Sequence, residues 1–274
     1  MLLKPQKIVF SFALICCIAL RIYLKLFSIN PATGFYEGNL TAASIFNWVL
    51  IIGCIGLLLM GWLSSKKMAV PIFRSNPGMR VFSVLTGIFA LVFAGSTLLE
   101  QVDGLLNLTY GSNIVSSLVL SAVGIFCLIV APIVSGILFI VIGLKGCNGN
   151  QYHGALLLFP VLWQTALLLT TFMRYTLMRS ASDQLLMIVT LLFIVPFLMA
   201  NGRILSNLNP EKGMRQLSMF GLSFALAAVP HSIGILSAAF ANKTVEIGPS
   251  LYAAGFYLCM GIYAMMMVFS LKKQ

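Results

Sequence analysis

Eight apolar runs divide this chain, each close in length to the thickness of a lipid hydrocarbon core. A helix needs roughly 20 apolar residues to cross about 30 Å of hydrocarbon. By that measure the spans are approximately 8–28, 41–63, 80–100, 114–144, 154–173, 184–205, 215–240 and 248–271. Within lipid every backbone amide must be satisfied inside its own segment, so each run is expected as a helix. Charge content supports this: 8% of the 274 residues are charged and 60% are apolar. A soluble domain carries roughly 25% charged residues to hold its surface in water. The expected fold is all-α, a polytopic membrane bundle of eight transmembrane helices forming one domain over residues 1–274. No internal repeat is visible.

Two runs need a decision. The first has Lys4 and Lys7 ahead of its apolar stretch, as a signal peptide would. It lacks a small-residue cleavage site and Arg21 interrupts its later half, so it reads as a retained span. The fourth run, 114–144, would reach about 46 Å at about 1.5 Å per residue. It is either one helix kinked at Pro132 or two short spans. Kept as one, it leaves six downstream basic residues on the inner side and three on the outer side. Splitting it would reverse that bias, against the tendency of Lys and Arg to stay in the cytoplasm.

Eight spans put both termini in the cytoplasm. Twelve of the seventeen basic residues then fall inside, and five of the six acidic residues fall outside. The net charge of +11 is thus an orientation signal and calls for no nucleic-acid partner. The lipid bilayer is the expected partner, with anionic inner-leaflet lipids attracted to the basic face. The longest basic loop, KKMAVPIFRSNPGMR at 66–80, is a candidate docking surface for a protein partner. The six cysteines show no metal-ligand spacing and read as small packing residues.

The gap between the first two spans reads SINPATGFYEGNLT, residues 28–41. Pro31 takes Asn30 out of helical geometry, Thr33-Gly34 supplies a turn, and Thr41 caps the next helix. Phe35 and Tyr36 suit the aromatic belt at a lipid–water boundary. This is an anchored interfacial turn, or a cap folded over an outer vestibule. The pattern Asn30-Pro31-x-Thr33-Gly34-Phe35-Tyr36 resembles a turn found after the first span in uncharacterised multi-span proteins of Gram-positive gut bacteria. The resemblance covers about a dozen residues. It implies a bacterial plasma membrane and no particular activity. Three sequons, at Asn39, Asn107 and Asn242, fall in expected external loops.

Polar groups inside spans are costly and mark function. No Asp, Glu or Lys lies at mid-depth in these spans, and no catalytic pair, zinc motif or nucleotide-binding loop is present. No catalytic residue, metal or cofactor is therefore expected, and an enzyme is the least favoured class. His231 is the mid-depth ionisable group, on a helical face of small residues where another helix can approach. The other histidine, His153, lies at the opposite end of its span, so the two cannot share a haem iron. Pro132, Pro160, Pro196 and Pro230 lie within spans four to seven and free backbone carbonyls there. Gln164 lies one turn beyond Pro160. The candidate binding residues are His231, Gln164, Pro230, Pro160 and Pro196. Arg21 and Lys25 share a helical face toward the outside; they either snorkel to the surface, pairing with Glu37, Glu100 or Asp103, or form an anion-binding mouth.

The leading expectation is a small permease or carrier-like protein for a neutral or amphipathic solute, bound among spans four to seven. The alternative is a non-transporting scaffold or accessory subunit.

Overall fold

A computed structural model describes residues 3–30, 34–37, 40–65, 72–73, 76–106, 126–146, 152–176, 182–243 and 250–272. Within them the helices are α1 (Leu3–Tyr23), α2 (Leu40–Ser65), α3 (Pro77–Leu106), α4 (Ala131–Lys145), α5 (Gly154–Thr176), α6 (Ser182–Leu205), α7 (Pro210–Phe240) and α8 (Leu251–Ser270). A π-helical turn at Leu24–Ser28 continues α1, and another at Phe126–Val130 leads into α4. One two-residue pairing completes the picture: β1 (Ile72–Phe73) runs antiparallel to β2 (Leu271–Lys272). Among the described residues, eight helices are long and apolar enough to cross a membrane. The predominantly helical architecture expected from the apolar runs is therefore present.

The expected spans and the observed ones agree to within a few residues at most ends. The fourth is described only from Phe126, so its expected start at 114–125 lies outside the described residues. Pro132 stands just inside α4, where the π turn gives way to α-helix. A proline cannot donate to the carbonyl one turn back, and a π turn is one way a helix absorbs that loss. Pro160, Pro196 and Pro230 lie within α5, α6 and α7, which run continuously through them.

The start of α1 and the end of α8 lie together. Lys7 Nζ donates to the Phe269 carbonyl at 3.5 Å, and the Phe10 and Phe269 rings meet edge to face. We call this the termini end of the bundle. The opposite end carries the 28–37 turn and is called the turn end. There Lys243, just beyond α7, donates to the Leu26 carbonyl at 2.8 Å.

Helix α7 is the hub. It packs against α1, α2, α6 and α8, and 78% of its spanning window is buried, against 22–50% for α1–α6. Its sequence explains this. Small residues such as Gly221, Ala225, Ala227, Ala228 and Gly234 recur around it, leaving no protruding face to hold neighbours away. By contrast, Ile8, Phe12 and Ile15 on α1 are exposed.

Between helices in lipid, close packing replaces the hydrophobic effect as the main attraction. The α3–α4 contact shows how close. A Cβ on Gly87 would fall 2.5 Å from the Gly136 carbonyl, and one on Gly136 would fall 2.9 Å from the Gly87 carbonyl. Backbone stands at the centre of that crossing, with the Ile140 and Leu91 side chains packed beside it, and backbone cannot move aside cheaply. Gly87→Leu should therefore cost at least about 1–3 kcal/mol by overpacking. Thermal unfolding in detergent measures this, with Gly56→Ala as the control: a Cβ there meets nothing within 4 Å and should be close to neutral.

Candidate functional site

Three helices bring polar residues to the turn end on their inward faces. On α1 and into the π turn that continues it, the buried positions are Gln6, Phe10, Ala13, Cys17, Arg21 and Leu24, spaced by three and four. That stripe is the bundle-facing side of a 3.6-residue repeat, and it carries Arg21 into the protein. The π turn that follows holds Lys25 and Ser28 on the buried side. On α6 the buried stripe is Asp183, Met187, Thr190, Ile194, Phe197 and Asn201, again spaced by three and four. On α7, His231 lies on the same face as Phe224, Ala227, Ala228 and Ala238, all buried.

These stripes converge on Asp183. Its Oδ1 accepts from Arg21 Nη2 and its Oδ2 from Lys25 Nζ, with all three side chains at or below 3% exposure. Arg21 Nη1 donates to the Tyr36 hydroxyl at 3.3 Å, and its guanidinium lies 5.5 Å from the Phe46 ring centroid, on α2. Gly234, one turn beyond His231 on α7, provides the floor. A Cβ there would fall 2.8 Å from Arg21 Cγ and 3.5 Å from Lys25 Cγ. The absent side chain is what lets the two cationic stems lie across α7. His231 itself is fully buried and within electrostatic reach of Asp183, Arg21 and Lys25.

The described residues 28–30 and 34–37 lie beside this cluster, which Tyr36 joins through Arg21. Ile29 bridges Tyr36, Asn30 N–H donates to the Phe35 carbonyl at 3.0 Å, and Glu37 N–H donates to the Ser28 carbonyl at 2.7 Å. Gly34 makes the reversal with φ +70°, a left-handed value that favours glycine. The turn therefore aims Tyr36 inward, at Arg21, rather than leaving it as a surface anchor.

Burying an ion costs several kcal/mol even after relaxation, so buried charges persist only when matched and hydrogen-bonded. Here the match is incomplete. Two cations share one carboxylate, giving the trio a formal charge of +1 among the described residues. Arg21 Nε, both ring nitrogens of His231 and Ser232 Oγ are buried and meet no hydrogen-bond partner among the described residues. Buried polar atoms in folded proteins are nearly all partnered, so several such atoms on neighbouring residues single this region out.

Gln164 belongs to a second locus, between α5 and α8. Tyr257 donates to Gln164 Oε1 at 3.0 Å, and the adjacent Trp163 ring packs between Phe93 and Phe256. Trp163 Nε1 and Gln164 Nε2 are also buried without a partner among the described residues. The two loci are neighbours in register. A Cβ on Gly261 would contact Ala228 and Val229, so one turn outward along antiparallel helices puts Tyr257 level with Ser232. Among the described residues no group of three or more His, Cys, Asp or Glu side chains is placed to hold a metal ion.

Of the candidates named from sequence, Arg21, Lys25 and His231 come together, and Gln164 stands apart. Surface snorkelling does not describe Arg21 and Lys25: both are buried, and their acidic partner is Asp183. Glu37 is exposed and accepts instead from Asn30 Nδ2 at 2.6 Å. The side chains of Glu100 and Asp103 lie outside the described residues. Asp183 was missed because the sixth span was drawn from 184, which left it in a loop. The signal that recovers it is the three-and-four spacing with Thr190 and Asn201, which marks one face of one helix. No protein-family model, curated protein or solved structure matches this chain.

Gly234→Val tests the geometry. Arg21 is pinned at its far end by Asp183 and Tyr36, so its stem cannot withdraw from an added side chain. The substitution should lower stability by about 1–3 kcal/mol. Thermal unfolding is the readout, and an unchanged midpoint would mean that the cationic stems do not rest on this glycine.

Proposed function

We propose that the chain is a small carrier-like membrane protein whose solute site lies between α1, α6 and α7, at the turn end of the bundle. The supporting observation is the buried Arg21–Asp183–Lys25 cluster beside His231, with its unpartnered hydrogen-bonding groups. Ionisable groups inside membrane bundles are expensive and commonly mark solute or ion pathways. A helix needs none of them to span lipid or to pack. The proline-containing helices α6 and α7 flank the cluster and supply backbone groups that a moving or bound solute can use.

On this reading the positive-inside bias directs the termini end to the cytoplasm and the turn end outward. The membrane would be a bacterial plasma membrane, and the basic stretch 66–80 would face anionic lipid. The solute site thus moves from the expected position among spans four to seven. It sits instead where the first span meets the sixth and seventh, with the Gln164–Tyr257 pair as its neighbour across α7.

Cysteine accessibility tests the reading. Ser232→Cys, a near-isosteric change in an otherwise cysteine-free background, should react with a membrane-impermeant thiol reagent applied to intact cells. Gln164→Cys should react more slowly or only when solute is present. Complete resistance of both positions from either side of the membrane would contradict a carrier.

A further inference from the structure

Asp183 gives one negative charge to two cations, and the remainder has a chemical consequence. We propose that the cluster binds a small, singly charged carboxylate, held by the Lys25 ammonium, the Arg21 Nε–H and an N–H of His231. The proposal rests on the carrier-like reading of this cluster and names the class of its solute: an anion, as in the anion-binding alternative for Arg21 and Lys25, where the leading expectation from sequence was a neutral or amphipathic molecule.

The donor arithmetic supports it. An ammonium has three N–H donors and a guanidinium five. Lys25 gives one of its three to Asp183, while Arg21 gives one N–H to Asp183 and one to Tyr36, leaving Nε without a partner among the described residues. His231 is fully buried, and both its nitrogens lack a partner among the described residues. All of these are donors, or able to donate, and a carboxylate accepts at two oxygens.

Charge selects among ligands. A metal or ammonium ion would be repelled by two cations that outnumber their one carboxylate. A neutral solute would leave the buried +1 unbalanced. A dianion such as sulfate would overshoot by one. A monoanion brings the cluster to zero, which is the condition buried charges require. Directional N–H groups favour an oxyanion over a halide.

The test uses the full-length protein in nanodiscs of zwitterionic phosphatidylcholine, so that no anionic lipid competes. Acetate serves as the probe for a free carboxylate and decanoate as the probe for an amphipathic one. A ligand that binds only the folded state raises the unfolding midpoint progressively with its concentration. One or both carboxylates should do so, while chloride and sulfate at matched ionic strength should not. Whichever probe shifts the midpoint at lower concentration identifies the source of the carboxylate.

Lys25→Met leaves Arg21 and Asp183 as a neutral pair, so this variant should fold while its apparent carboxylate affinity falls at least tenfold. Lys25→Arg should retain the effect. His231→Asn, which leaves both ion pairs intact, should weaken it and supplies a second readout if Lys25→Met is poorly folded. No shift with either carboxylate would overturn the proposal. So would an equal shift with chloride, or one that survives both Lys25→Met and His231→Asn. A carboxylate shift together with unreactive Ser232→Cys and Gln164→Cys would keep the binding site and remove the carrier. Reactive cysteines without a carboxylate shift would do the reverse.

Discussion

A charge withdrawn from water into a helix bundle must be met by an opposite charge and by hydrogen bonds, or the bundle will not hold it. In this protein Asp183 meets two cations at once, and the turn end is arranged around that fact. Helix α1 widens into a π turn as Lys25 enters the cluster. Helix α7 has a glycine where the cationic stems cross it. The loop after α1 folds back so that Tyr36 takes one of the Arg21 donors. Each of these departs from an ordinary apolar span, and each is accounted for by the same ion cluster.

The termini end is held by different means. Gln6 is fully buried and donates from Nε2 to the Ser218 carbonyl at 3.0 Å, tying α1 to α7. Ser223 and Cys54 exchange longer contacts between α7 and α2. Aromatic stacking of Phe197 on Phe224 joins α6 to α7. These are neutral contacts along a close-packed helix, of the kind that hold membrane bundles together. The contrast between the two ends argues that the charges serve something beyond cohesion, since neutral packing suffices elsewhere on the same helix.

Much of the fold was legible in the sequence because lipid imposes a simple rule on length and polarity. The eight apolar runs and the inward face of His231 both follow from it. The site was legible in parts. Arg21, Lys25 and His231 are conspicuous as polar groups in apolar helices. What joined them was not, because Asp183 stands at the first turn of α6 and a boundary error of one residue moves it from helix to loop. Hydropathy is blind to such an error; helical spacing is not. The partner assignment also failed for a physical reason: proximity along the chain favoured Glu37, whereas the fold brings in a carboxylate from the sixth helix. The tight α3–α4 crossing was illegible for a similar reason, since Gly87 and Gly136 look like any other glycines until the two helices meet.

The central claim is that Asp183 is indispensable because it neutralises buried cations. Thermal unfolding of the native chain, Asp183→Asn, Arg21→Met and the double variant addresses it directly. Asp183→Asn should cost about 3–5 kcal/mol, since it strands two charges. Removing Arg21 as well should recover at least about 1 kcal/mol of that loss, the mark of an energetic coupling between contacting residues. Strictly additive effects, agreeing within about 0.5 kcal/mol, would contradict the account and reduce the cluster to coincidence.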